Sequence, residues 1–342
     1  MATPTTNTPR ANRPPRRILV TGGAGFIGSH TVEALLRRGW LVRVLDDLSS
    51  GHAENLPLHD ERLELRIGSI LHAPTVERAM QEVQGCVHLA AQVSAALSVE
   101  QPAASAERNV LGFINVLEAL RAAGVQRLVY ASSAAVYGEP CELPLPEEAV
   151  AQPTNPYGLE KHVDELYAAL YRRLHGISAL GLRYFNVYGP RQDPSSPYSG
   201  VISRFVERLS AGEVPTVFGD GRQTRDFISV RDVARANLAA LDSDYCGVCN
   251  VATGRRSDLL EMLRILGDCI GAACRPQFAP ARAGDIRDSC GDDRRMRRVL
   301  GLSARHGLEE GLAQLVASLQ PPQLQTADGG LQQGELFRRT AG

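Results

Sequence analysis

The sequence predicts an α/β protein in which a doubly wound parallel sheet is followed by a smaller C-terminal α/β domain. Three observations predict it. The segment RRILVTGGAGFIGSHTVEALLRRGWLVRVLDDLSSG reads as strand, glycine turn, amphipathic helix and second strand, the β-α-β unit of a parallel sheet. Further apolar runs follow with helical segments between them, LELRIG, GCVHLAA, RLVYASSAAVYG and ISALGLRYFNVYG, and that alternation implies crossover connections and parallel pairing. After RYFNVYG the chain enters a turn-rich stretch before a further strand, GVCNVA, and the amphipathic helix LLEMLRILGDCIG.

A chain of 342 residues can bury a substantial core. Its hydrophobic content of 44% and charged content of 22% are ordinary for a globular protein. A formal charge of −1 argues against a broad surface for nucleic acid or acidic lipid. No apolar run approaches the length of a membrane span. Residues 1–16 are rich in Thr, Pro and Arg without the apolar centre of a signal peptide and read as a disordered leader; residues 320–342 read as a flexible tail. Seven cysteines, an odd number, fit free thiols in a reducing cytoplasm. Cys246-x-x-Cys249 with Cys269 and Cys274 resembles paired zinc-ligand spacing. GVCNVA, with Cys249, reads as a strand and Cys269 lies in an amphipathic helix, where cysteine serves as a small apolar residue, so no metal site is expected.

In the first unit, Gly22, Gly25 and Gly28 stand three apart between a strand and a helix. Glycine permits the tight turn, the close approach of a pyrophosphate, and close helix–strand packing, while the helix N-terminus supplies N–H groups for phosphate. Phe26 and Ile27 open that helix and complete the candidate dinucleotide cradle. Asp46 ends the second strand, placed for the adenosine ribose hydroxyls, where its charge would repel a 2′-phosphate. NAD is therefore expected over NADP. After the third strand, Gly68-Ser69-Ile70 lacks the acid that often contacts adenine.

TNPYGLEKHVDELYAALYRRLHG has a helix start, with Asn155 as cap and Pro156 at the first position, followed by an amphipathic repeat. Tyr157 and Lys161 are four apart and share one face. A lysine ammonium ~4 Å from a phenol, at an effective dielectric near 20, offers roughly 4 kcal/mol toward the phenolate, before desolvation is subtracted. The pair is a candidate proton-transfer couple.

Together, TGGAGFIGSH, HLAA, NVLGFINVLEA, SSAAVYG, YGLEK, LRYFNVYGPRQDP and GDGRQTRDFISVRD resemble the extended short-chain dehydrogenase/reductases, from about Arg17 to Leu319. Within them the chain is most similar to the UDP-hexose 4-epimerases of the NAD-dependent epimerase/dehydratase family. The resemblance implies a Rossmann-type NAD domain over 17–186 and a mainly nucleotide-sugar-binding domain over 187–319, with a return to the first near 225–255. It implies that Ser133 holds the sugar O4 and shares its proton with Tyr157, and that Lys161 also holds the nicotinamide ribose. Related 4,6-dehydratases place Asp-Glu just after that hydroxyl residue. Here Ala134 and Ala135 stand there and cannot transfer protons, which disfavours dehydration. Epimerisation through a 4-keto sugar remains.

By the same resemblance Asn186, Arg225 and Arg282 meet the substrate diphosphate, Asp285 the ribose, and Ser289 sets the room near C2 of the sugar. A small Ser289 leaves volume for an N-acetyl group, so UDP-GlcNAc/UDP-GalNAc is the expected pair, with UDP-Glc/UDP-Gal also accepted. Arg287 is placed to meet a C6 carboxylate, which makes a UDP-glucuronate 4-epimerase or another nucleotide-sugar oxidoreductase the alternative. A non-enzymatic NAD-binding regulator is the alternative of another class, against which Tyr157 and Lys161 both stand. The resemblance implies a homodimer through a four-helix bundle, with NVLGFINVLEAL and HVDELYAALYRRL as the expected helices.

Overall fold

The first half of the chain alternates β1 (Arg17–Thr21), α1 (Phe26–Arg37), β2 (Leu41–Asp46), β3 (Leu63–Ile67), α2 (Ala73–Met80) and β4 (Gly85–His88). Short helices α3 (Ala95–Glu100) and α4 (Pro102–Ala106), then α5 (Gly112–Ala123), β5 (Arg127–Ser133), α6 (Pro156–His175) and β6 (Ser178–Tyr184) complete it. This computed structural model describes residues 15–140, 142–192, 201–272, 274–281 and 286–319. The expected tail, and the expected leader up to residue 14, lie outside them.

The second half contributes β7 (Asn186–Tyr188), α7 (Val201–Ser210), β8 (Thr216–Phe218), β9 (Thr224–Arg225), β10 (Phe227–Ser229), α8 (Val230–Asp242) and β11 (Gly247–Val251). It ends with β12 (Ser257–Asp258), α9 (Leu259–Ile270), β13 (Gln277–Ala279), α10 (Arg294–Leu300) and α11 (Leu308–Leu319). Seven strands form one sheet in the order β11-β6-β5-β4-β1-β2-β3, and all its pairings are parallel. The order runs outward in both directions from β1 and β4, so the crevice beyond their C-terminal ends is the topological switch point where such sheets bind ligands.

Apart from the edge strand β3, the strands are largely buried on both faces, which is why they read as apolar runs. On one face α1 and α8 pack Val32, Leu35, Leu36, Val233 and Ala240 onto Ile18, Val20, Val87 and Val129. On the other, α2 and α5 supply Val76, Met80, Phe113, Val116, Leu117 and Leu120 against Leu19, Leu45, Leu128 and Tyr130. Full burial of each large side chain stabilises the fold by roughly 1.5–3 kcal/mol. A separate core of Phe205, Leu209, Met262, Leu266, Leu312 and Leu315 joins α7, α9 and α11.

Two runs that read as single strands are broken. SSAAVYG leaves the sheet at Ser133, whose Oγ accepts from Ala135 N and starts a 3-10 turn over Ala134–Tyr137. RYFNVYG divides at Phe185: its N–H bonds Val251 O, whereas the next N–H, of Asn186, bonds Asp226 O, so β7 pairs with β10 in a separate sheet. The predicted helix NVLGFINVLEALRAAG begins with a π-helical turn over Glu107–Leu111, within which the buried Asn109 side chain bonds both backbone groups of Gln92.

Candidate active site

The glycine turn lies at the switch point. Gly22 is in the left-handed region (φ +69°), and a Cβ there would meet Ala90 N at 2.6 Å. At Gly28 a Cβ would fall 2.0 Å from Gly22 O and 2.7 Å from Gly23 Cα, so this glycine is what lets α1 press onto the turn. Gly25 differs: its backbone is extended (φ −77°, ψ −178°), and a Cβ would meet only Gly22 O, at 3.3 Å. It is the N-cap of α1, with no side-chain cap on the helix's first N–H groups. Phe26 and Ile27, both half-buried, form the first turn beside those groups, which such a start leaves available to an anion.

Asp46 completes the cradle. Only 7% exposed, it accepts from Ala24 N through Oδ2 and from Leu48 N through Oδ1, both at 2.9 Å. Burial raises its pKa above the ordinary aspartate value, while those two N–H groups pull it back. Each carboxylate oxygen keeps a lone pair for a ribose hydroxyl. A turn lined by glycines, with an acid fixed beside it, fits NAD.

Helix α6 starts as expected, with Asn155 Oδ1 accepting from Gly158 N at 2.9 Å and Pro156 in its first turn. Tyr157 is half-buried, and its N–H donates to the buried Ser98 Oγ at 3.1 Å. Lys161 is 2% exposed, and its Nζ lies 3.2 Å from Asp164 Oδ2. Burial works against the ammonium, yet the nearby charges of Asp164 and then Tyr157 raise its pKa above the ordinary lysine value. The turn carrying Ser133, itself half-buried, is pressed against α6 at Gly158, where a Cβ would meet Ala135 O at 2.6 Å. That contact joins the serine-bearing turn to the helix bearing Tyr157 and Lys161; Ala134 and Ala135 bring no acid to it.

The two faces of α6 are divided against the usual polarity. Its buried residues include Glu160, Lys161, Asp164 and Glu165, whereas Leu159, Leu166 and Leu174 are more than half exposed. The inward charges are held one by one. Glu160 Oε2 accepts from Ser105 Oγ (2.9 Å) and Asn109 Nδ2 (2.5 Å). Glu165 takes both arms of Arg183 (2.8 Å each) and Ser132 Oγ (2.6 Å). His88, on β4, bonds Thr21 Oγ1 at 2.8 Å; burial, then the charge of Lys161, lowers its pKa to about 3. These residues were not singled out in the sequence, where only the density of acids after YGLEK hinted at them.

Across the sheet, β9 and the segment around Ser289 run side by side. Ser289 N donates to Thr224 O at 3.1 Å, and the Arg225 guanidinium donates to Thr224 O and Arg287 O at 2.9 and 3.2 Å. Arg225 and the half-buried Ser289 are thereby brought together, with Asn186 exposed at the start of β7. Arg282 and Asp285 lie outside the described residues. Asp226, fully buried, organises this wall: it accepts from Thr253 N (2.8 Å), Thr253 Oγ1 (2.6 Å), Gly254 N (3.0 Å) and Gly291 N (3.2 Å). Arg287 is engaged by both oxygens of Asp220, at 3.0 Å each. Among the described residues no three His, Cys, Asp or Glu side chains gather in a metal-binding group, and no helix is long and apolar enough to cross a membrane.

Residues 18–252 match the model of the NAD dependent epimerase/dehydratase family. The chain belongs to that family. It is an enzyme, and NAD is its cofactor. It is 41% identical over 305 residues to a UDP-glucose 4-epimerase of Mycolicibacterium smegmatis, covering 88% of this chain and 97% of the relative. Among solved structures it resembles a UDP-N-acetylglucosamine 4-epimerase from Methanobrevibacter ruminantium in complex with UDP-N-acetylmuramic acid. There the TM-score is 0.86 and the identity 35%, over 89% of this chain and 98% of that one. A Thermus thermophilus UDP-glucose 4-epimerase complex with NAD matches with TM-score 0.81 and 40% identity, over 88% and 98% of the two chains.

Proposed function

We propose that this family member is a UDP-hexose 4-epimerase that works through a 4-keto sugar, interconverting UDP-GlcNAc with UDP-GalNAc and UDP-Glc with UDP-Gal. The observation that carries the reading is the reactive face of α6, with Tyr157 and the buried Lys161 against a turn that offers Ser133 and two alanines. In this reading Tyr157 accepts the O4 proton as a phenolate and returns it, Ser133 holds O4, and the Lys161 ammonium stabilises the phenolate. NAD, when bound, supplies the reversible two-electron acceptor for C4. Gly22, Gly25, Phe26, Ile27, Gly28 and Asp46 hold it, and Lys161 meets its nicotinamide ribose. Ala134 and Ala135 offer no proton donor at the positions where dehydration would draw on one. The relatives named UDP-glucose 4-epimerase and UDP-N-acetylglucosamine 4-epimerase support the same reaction.

Asn186, at the end of the NAD domain, is assigned with Arg225 and Arg282 to the diphosphate, Asp285 to the ribose, and Ser289 to the sugar's C2 side, the last four within a substrate domain over 187–319. The pairing of Arg287 with Asp220 occupies the guanidinium that a uronate carboxylate would need, which favours neutral hexoses. The exposed Leu159 of α6, with Leu111, borders an apolar groove of about 560 Å³ lined also by Ala106, Val110, Ile114 and Val163. That face is assigned to a homodimer built by pairing α5 and α6 across the two copies.

The purified protein should be incubated separately with UDP-GlcNAc, UDP-Glc and UDP-GlcA, and the products resolved. Appearance of UDP-GalNAc and UDP-Gal is expected. Conversion of UDP-GlcA alone would transfer the assignment to the uronate. No conversion of any, with NAD supplied, would refute the UDP-hexose reading.

A further inference from the structure

We propose that Asp164 is a positioning residue for Lys161, holding the ammonium from behind and keeping it charged at alkaline pH. This deepens the epimerase reading and rests on it for the role of Lys161. The geometry is specific. Lys161 Nζ has three N–H donors; Asp164, three residues further along α6, takes one at 3.2 Å. Two donors are left for the side of the helix that carries Tyr157.

Other acids crowd the lysine but are committed elsewhere. Glu160 is bonded to Ser105 and Asn109, and Glu165 to Arg183 and Ser132. Asp164 is fully buried, and its second oxygen, Oδ1, has no hydrogen-bond partner at all. A buried carboxylate with one bond is a poor stabiliser, because its desolvation exceeds what a single ion pair returns. What it does supply is a fixed negative charge three residues from the catalytic lysine.

The groups facing the pair are few. From its own helix come Glu160, Glu165 and Tyr157; β5 presents Tyr130, β6 presents Arg183 bound to Glu165, and β4 presents His88, neutral in the fold. Burial pushes the Asp164 carboxyl up to about 6, with Lys161 pulling the other way. Asp164 is therefore charged across the neutral and alkaline range, where the lysine needs it. Asp164→Asn keeps the shape and an acceptor oxygen but removes the charge, leaving an ammonium in a site that penalises it.

The experiment compares wild type, Asp164→Asn, Asp164→Glu and Asp164→Ser as full chains. It measures the pH profile of epimerisation and, independently of turnover, NADH affinity by fluorescence across the same range. In Asp164→Asn the alkaline loss of both turnover and NADH affinity should begin about one pH unit or more below that of wild type. Asp164→Glu should restore the profile. Asp164→Ser is a second neutral variant, to be read if Asn disturbs folding by circular dichroism. Coincident NADH profiles for wild type and a folded neutral variant overturn the proposal. A shifted NADH profile in a protein that turns over no UDP-hexose would leave it standing and sink the substrate reading instead.

Discussion

Gly25→Ala separates cofactor binding from folding. Alanine accepts the extended backbone of Gly25, and its Cβ would need Gly22 O to give by only a few tenths of an ångström. The loss of a glycine cap costs the apo fold about 1 kcal/mol at most. A pyrophosphate at the N-terminus of α1 would meet that methyl directly. Displacing it forfeits at least one charge-assisted hydrogen bond, about 1.5–3 kcal/mol, which is roughly a 10- to 150-fold loss of affinity. Gly28→Ala is the contrast, because a Cβ 2.0 Å from backbone oxygen forces the whole turn to move. The assay is thermal denaturation of the apo protein with NADH titration by fluorescence. We expect Gly25→Ala to melt close to wild type yet bind NADH at least tenfold more weakly, and Gly28→Ala to lose both. NADH binding by Gly25→Ala at wild-type strength would refute the placement of the pyrophosphate.

Ser289→Tyr fills the sugar's C2 side and should cut kcat/KM for UDP-GlcNAc on the order of 100-fold while leaving UDP-Glc within about threefold; equal losses would show that Ser289 does not face C2. His88 is held neutral by burial, with a folded pKa of about 3 against an ordinary 6.5. Its contribution to stability is complete above pH 6.5 and is lost as the pH falls toward 3, because the unfolded chain binds the proton first. By pH 5 this amounts to roughly 2 kcal/mol. Chemical denaturation of His88→Asn should show a flatter loss of stability between pH 6.5 and 5 than wild type, and parallel curves would exclude His88 as the source.

The cofactor half was legible because its information is local. Gly22, Gly25, Gly28 and Asp46 fall within one β-α-β unit, where Gly22 and Gly28 stand at positions that leave no room for a Cβ and Asp46 ends β2. The wall opposite is assembled from distant pieces. Asp226 joins Thr253, Gly254 and Gly291, Thr224 bonds the chain at Arg287 and Ser289, and Leu145 exchanges backbone bonds with Cys290 and Asp292. None of these contacts is closer than 27 residues in sequence, so no window of periodicity registers them. Gly158 was missed for a related reason: a glycine in the first turn of a helix carries no signal until the 3-10 turn at Ala135 is packed against it.

Helix α6 shows the deeper limit. Binary patterning assumes that apolar residues point inward, a rule that would bury Leu159, Leu166 and Leu174. They are exposed, while Glu160, Lys161, Asp164 and Glu165 are buried. The inversion is physically consistent only because every inward charge meets a partner from another element or from the helix itself, Ser105 and Asn109 for Glu160, Arg183 and Ser132 for Glu165, and Asp164 for Lys161. Buried charges so arranged add little net stability, so their presence on the helix of Tyr157 points to chemistry. The same inversion leaves an apolar stripe facing outward, beside Leu111 and the groove along α5. A helix that turns its charges to the sheet leaves its leucines facing outward, and the homodimer proposed above would bury them.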